Sequence, residues 1–180
     1  AINELEEIAK KGEIAKLPGF GAKSEKIILR SIKEFRLGKG KTTRMVLPIA
    51  FEVGQKVLDY LYKSKAVERA ETLGSLRRMM PTVGDVDIAV ASNKPLEVVN
   101  HFVKIPYVER VIEKGPATSS VLALGGKQID LMVQPTKAFG SLLQHFTGSK
   151  NHNVHLRELA LKKGMSLSER GIKIKGKIKT

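Results

Sequence analysis

The sequence predicts an α+β fold with helices at both ends of a central mixed sheet. Apolar residues recur at helical spacing to about residue 61, alternate between Val67 and Val133, and return to helical spacing after Pro135. Leu5, Ile8 and Ala9 share one face of a short helix that Gly12 ends, and Ile27, Ile28, Ser31, Ile32 and Phe35 give a second. Between them Leu17-Pro18-Gly19-Phe20-Gly21 reads as a tight hairpin, so this end is a helix-hairpin-helix pattern. A linker, Gly38-Lys39-Gly40-Lys41, leads to a long helix with Pro48 in its first turn and Ile49, Val53, Val57 and Leu61 as core positions. Strands follow at about 67–73, 85–91, 107–113, 119–124 and 127–133, with a helix from Pro95 through Leu96, Val99 and Phe102 joining the second to the third. Helical signal returns through Leu142 and Leu143 and again from Lys150 to Lys163, where Gly164 is the stop. From Gly171 to Thr180 isoleucine and lysine alternate, as in an edge strand.

At 42% hydrophobic the 180 residues can bury a core, and the length also suits two or three small cooperating subdomains. Cysteine is absent, which excludes disulfides and thiolate metal sites; a cytoplasmic protein is expected. No apolar run reaches the roughly 18 residues of a membrane span, and the first residues lack the order of a secretory signal. The net charge of +14 favours a polyanionic partner, because neutralising phosphates releases condensed counterions. Residues 10–44 carry 11 Lys/Arg against 3 acids and residues 149–180 carry 9 against 2, while residues 45–148 carry 12 against 10. Basic flanks around a near-neutral centre suit phosphate contact better than solvated helix faces, the other reading of such charge. The glycine hairpin fits the same partner. Backbone N–H groups of Gly19 and Gly21 at the start of a helix, with Lys16, Lys23 and Lys26 around them, can hold a DNA phosphate without sequence preference. An ordinary interhelical turn is the alternative.

The chemistry concentrates in Gly74-Ser75-Leu76-Arg77-Arg78 and the following Gly84-Asp85-Val86-Asp87. Residues i and i+2 of a strand share a face, so Asp85 and Asp87 present two carboxylates together. Such a pair repels unless cations bind it, and hard oxygen donors suit magnesium, which completes its shell with water and substrate phosphate. The Gly74-Ser75 turn offers a hydroxyl and backbone N–H groups to phosphate oxygens, and Arg77 or Arg78 can offset negative charge. Asp130 lies in the apolar run Gln128-Ile129-Asp130-Leu131-Met132-Val133. Alone it would be a strand-end carboxylate as readily as a ligand; beside an Asp-x-Asp pair, a third metal ligand is the better account. His152 and His155 have metal-like spacing without a further ligand, so they are read as solvent- or DNA-facing.

These motifs, with Ile129-Asp130 and Phe146-Thr147-Gly148-Ser149 continuing through Asn153, Arg157, Gly164 and Ser168-Glu169, resemble the family X DNA polymerases, bacterial or archaeal type, within the nucleotidyltransferase fold. The resemblance runs nearly the whole length. It implies a helix-hairpin-helix segment at 1–43, a nucleotidyltransferase palm at 44–135 and a small thumb at 136–180, without an amino-terminal lyase-like domain or the end of the thumb. It implies a monomer that adds deoxynucleotides to a primer 3′-hydroxyl on primer-template or gapped DNA, in gap or base-excision repair, with two Mg²⁺ ions or Mn²⁺ on Asp85, Asp87 and Asp130. Ser75 and Arg78 would contact the triphosphate, with Gly74 in the same turn and Gly84 allowing close approach; Arg44 falls near another triphosphate-binding arginine. His145, Phe146, Gly148 and Asn153 would line the sugar and base, and Arg157 would probe the nascent pair and contact DNA, as would Gly19, Gly21 and Lys23. The sequence departs from the family at His145 and Arg170, where tyrosine is common, and at Met132, where some members carry arginine. Two other readings remain: a nucleotidyltransferase acting on RNA or protein, and a DNA-binding polymerase fragment without turnover.

Overall fold

The computed structural model describes residues 2–36 and 44–179 and divides at residue 42 into two compact units. The Gly38–Lys41 linker lies outside the described residues. In the first unit, helix α1 (Ile2–Lys10), a single 3₁₀ turn (Ile14–Lys16) and helix α2 (Ala22–Arg36) bury Ala9, Ile14 and Ile32 against one another. Gly12 turns the chain out of α1 with φ +74°, a conformation that costs a glycine little. Arg36 closes the unit by pairing with Glu6 at 2.6 Å and donating to Asn3 at 2.8 Å, and the Glu25 carboxylate accepts from the Ala15 N–H at 3.1 Å. Leu5, Ile8, Ile27 and Phe35, placed on apolar faces by their spacing, stay exposed. Two helices and one turn have too little surface to enclose both faces.

The second unit is built on a five-stranded mixed sheet in the order β2 (Arg69–Thr72), β4 (Val86–Ala91), β7 (Lys127–Gln134), β6 (Thr118–Ala123), β5 (Val108–Lys114). Helix α3 is Leu47–Leu61, α4 Gly74–Arg77, α5 Pro95–Phe102, α6 Phe139–Thr147 and α7 Lys150–Lys162. Strands β4 and β7 are parallel, linked through α5 and the β5–β6 hairpin; every other pair in this sheet is antiparallel. Period-two alternation decides what each face carries. Val86, Ile88 and Val90 of β4, with Ile129, Leu131 and Val133 of β7, pack with Val57 and Leu61 of α3 and Val98, Val99 and Phe102 of α5. Ala89 and Ala91 face the other way, onto Phe139 and Leu142 of α6 and Leu73. Strands β1 (Met45–Val46) and β3 (Thr82–Val83) form a two-stranded ribbon, and β8 (Met165–Ser168), β9 (Gly171–Ile174) and β10 (Lys177–Lys179) a separate antiparallel sheet.

The α+β class and the five long strands agree with the expectation, each to within two residues at either end. Three details differ. Ile49, assigned to the core, is 51% exposed, because the inward stripe of α3 runs through Ala50, Gly54, Val57 and Leu61. Gly74-Ser75, read as a turn, opens a single turn of helix. The tail is a hairpin, β9 and β10 joined through Lys175 and Gly176, both with positive φ, where alternation alone reads as one strand.

Gly54 lets α3 pack closely against β2 and α4. A Cβ built there lies 2.9 Å from Leu76 Cδ2 and 3.0 Å from Thr72 Cγ2. Gly54→Val is therefore expected to lower stability by about 1–3 kcal/mol despite removing a helix glycine, as read by urea unfolding.

Candidate active site

Parallel pairing of β4 with β7 sets Asp87 directly opposite Asp130, on the sheet face turned away from the α3–α5 core. Asp85 precedes β4 by one residue. One carboxylate oxygen from each of Asp85, Asp87 and Asp130 lies within 4.8 Å of the other two. Burial, then the charges of Asp85 and Asp130, push the Asp87 carboxyl from its ordinary 3.8 up to about 7, against the opposing pull of Arg78. Gly74 makes room for that carboxylate: a Cβ there would sit 2.3 Å from Asp87 Oδ2, and the residue has φ +57°. Any side chain at 74 would clash with Asp87 and strain the backbone.

Helix α4 carries the phosphate-facing candidates. Ser75 is half-buried, and the helix closes in a Schellman cap, with the Met79 N–H donating to Leu76 O at 2.9 Å and the Met80 N–H to Ser75 O at 3.1 Å. Met79 takes φ 53°, where glycine is usual. The cap separates the two arginines. Arg77 turns back to pair with Glu71 at 3.2 Å, while Arg78 reaches across to donate to the Thr147 carbonyl. Its Nη1 lies 3.0 Å from where a Gly148 side chain would begin. Arg44 donates from Nε to Thr82 Oγ1 at 2.9 Å and from Nη2 to Thr82 O at 2.7 Å, which lays its Nη1 3.3 Å from a Cβ built on Gly84, next to Asp85.

Arg78, His145, Phe146, Gly148, Asn153 and Arg157 line one cleft of about 400 Å³ between α4, α6 and α7. The Gly148–Ser149 peptide there is cis, and Ser149 caps α7 by accepting from the His152 N–H. Asn153 donates to the His145 carbonyl and accepts from Gln144 at 3.2 Å. The Arg157 guanidinium stands 3.3 Å from His145 Nδ1. Burial, then Arg157, holds the imidazole below its usual pKa, against Glu169. Phe146 also borders a second cleft, of about 250 Å³, floored by Asp87, Glu113, Ser120 and Asp130. It is the partition between carboxylates and cleft.

The sequence-derived candidates of the second unit thus fall into one connected region. Gly19, Gly21 and Lys23 belong to the first unit, where α2 starts directly after Gly21 and Lys23 is exposed. His152 and His155 are exposed on α7. Sequence reasoning missed Gln128, whose amide Nε2 donates to both oxygens of Asp130 at 3.1 Å, and Thr82, which anchors Arg44. Gln128 was within reach, standing two residues before Asp130 on the same strand face; Thr82 needed the β1–β3 pairing.

Residues 142–179 match the family model for the DNA polymerase beta thumb. DNA polymerase/3′-5′ exonuclease PolX of Bacillus subtilis (strain 168) is 32% identical over 180 residues, covering 98% of this chain. By these matches the chain is similar to the family X DNA polymerases. It spans 31% of the length of that Bacillus relative. DNA polymerase lambda of Rattus norvegicus is 29% identical over 119 residues, 55% of this chain and 20% of the rat protein. Two ternary complexes of Leishmania infantum polymerase beta share the fold. The primer-template complex has a TM-score of 0.71 at 21% identity over 96% of this chain and 68% of its own, and the gap complex 0.70 at 20% over 96% and 60%. Family X polymerases use divalent metals generally, and the three clustered aspartates supply only hard oxygen donors.

The raised Asp87 pKa makes stability depend on pH. Between about pH 4 and pH 7 the folded chain holds a proton on Asp87 that the unfolded chain releases, so this contribution is full below 3.8 and is lost as pH rises through about 7. Without divalent ions, Tm should fall from about pH 5 to about pH 8. Asp87→Asn should abolish that component and be more stable than the parent by roughly 1–3 kcal/mol at the upper pH, read by thermal melts.

Proposed function

We propose that this chain is the DNA-synthesising core of a family X polymerase, transferring a nucleotidyl group from a deoxynucleoside triphosphate to a primer 3′-hydroxyl on gapped or primer-template DNA, in repair. The convergence of Asp85, Asp87 and Asp130 beside Ser75 and Arg78 carries this reading. In it, residues 1–43 grip the DNA backbone through Gly19, Gly21 and Lys23, residues 44–135 are the catalytic palm and residues 136–180 the thumb. The carboxylates fit a pair of Mg²⁺ or Mn²⁺ ions: burial, then its acidic neighbours, holds Asp87 half-protonated near neutral pH, and cations relieve the repulsion among the three. Bound there, two divalent ions would supply a primer hydroxyl of lowered pKa and charge neutralisation for the departing pyrophosphate.

The chain's own groups do the remaining work. Ser75 donates its hydroxyl to a phosphate oxygen, and Gly74 keeps the turn close to Asp87. Arg78, steadied by Thr147, offsets the charge that grows on the leaving group, and Arg44, braced by Thr82 near Gly84, adds a second cation on the Asp85 side. Phe146 and Gly148 pack against sugar and base in the cleft, with Asn153 holding the His145 carbonyl and Arg157 facing the DNA end of the same surface.

Primer extension on a gapped duplex with Mg²⁺ tests this. The parent chain should extend the primer, and Asp130→Ala should fall to background while binding DNA at least as well as the parent. A parent that binds gapped DNA without extending it, or that labels RNA or protein instead, would overturn the proposal.

A further inference from the structure

Gln128 and Asp130 point to the same face of β7, and the single amide nitrogen of Gln128 lies 3.1 Å from Oδ1 and 3.1 Å from Oδ2 of Asp130. Equal distances put that nitrogen on the plane bisecting the two oxygens, the plane that a cation chelated by both must also occupy. Each oxygen keeps a lone pair pointing away from the amide. Asp130 is thereby left to offer one oxygen to a cation on the Asp87 side, where the other two carboxylates converge within 4.8 Å. Gln128 is half-buried on a strand in mid-sheet, so its side chain has few alternative positions.

Resting on the metal-dependent reading above, we propose that Gln128 is a positioning residue: it restricts Asp130 to one-oxygen ligation and so favours a small octahedral cation over a large one. Mg²⁺ demands near-ideal octahedral geometry with short bonds, whereas Ca²⁺ accepts bidentate carboxylates and higher coordination. A carboxylate held from behind by a neutral donor also keeps its charge and orientation, and loss of such partners weakens metal binding about 10- to 100-fold in metalloproteins. Gln128 adds no charge of its own, so its effect is geometric.

The test is direct metal binding in the absence of nucleotide: Mn²⁺ titration followed by electron paramagnetic resonance, then competition with Ca²⁺. Gln128→Met keeps the side-chain shape without the donor, and Gln128→Ser serves as the second variant should methionine disturb the fold. Either is expected to bind Mn²⁺ about 10- to 100-fold more weakly than the parent. Ca²⁺ affinity should fall less or rise, so that the Mn²⁺:Ca²⁺ ratio shrinks, a change that a merely structural defect would not produce. Parent-like Mn²⁺ affinity and an unchanged ratio in a folded variant would overturn the role of Gln128. Asp130→Ala separates the two levels. If it too leaves Mn²⁺ binding unchanged, the metal site itself fails and this inference with it; if it alone weakens binding, only the inference fails.

Discussion

Three negative charges forced into one corner of a sheet are the constraint on which the second unit is built. The parallel register of β4 with β7 sets Asp87 against Asp130, and the start of β4 brings Asp85 to the same place. Like charges at this spacing oppose folding, and burial followed by that repulsion raises the Asp87 pKa. What keeps the corner together is the other side of the same strands. Val86, Ile88 and Val90, with Ile129, Leu131 and Val133, are almost wholly buried under α3 and α5, so the apolar face holds the acidic face in register.

The elements around the corner make sense as accommodations to it. Gly74 removes the one Cβ that would strike Asp87, and the cap at Met79 turns Arg78, not Arg77, toward the carboxylates and Thr147. Arg78 thus touches both halves of the region: it moderates Asp87 and lies against Gly148 at the mouth of the cleft. Phe146 sits between the cleft and the acids, so base, sugar and phosphate sites would be contiguous.

Much of this was legible in the residues because it is local. Asp-x-Asp spacing gives one face from period two alone, and an aspartate within Ile129-Asp130-Leu131 announces itself as a charge in an apolar strand. The pairing that joins them was not legible from spacing, since Asp87 and Asp130 meet only through a parallel crossover containing α5 and a hairpin. The exposed Ile49 and the tail hairpin went astray for related reasons. Period-four apolar positions on α3 leave the inward face ambiguous until Gly54 is seen against Leu76, and the Ile-Lys alternation keeps its parity across Gly176, which masks the turn there. Gln128 is the instructive omission: its face was readable, its target was not.

The central claim is that the three aspartates share divalent cations next to the α4 phosphate turn. A crystal structure of the chain soaked with Mn²⁺ and a non-hydrolysable deoxynucleoside triphosphate, phased on the manganese anomalous signal, addresses it most directly. The account predicts anomalous density within bonding distance, about 2.0–2.3 Å, of oxygens from Asp85, Asp87 and Asp130, with triphosphate oxygens at Ser75. Manganese held elsewhere, with these carboxylates bare beside bound nucleotide, would contradict it.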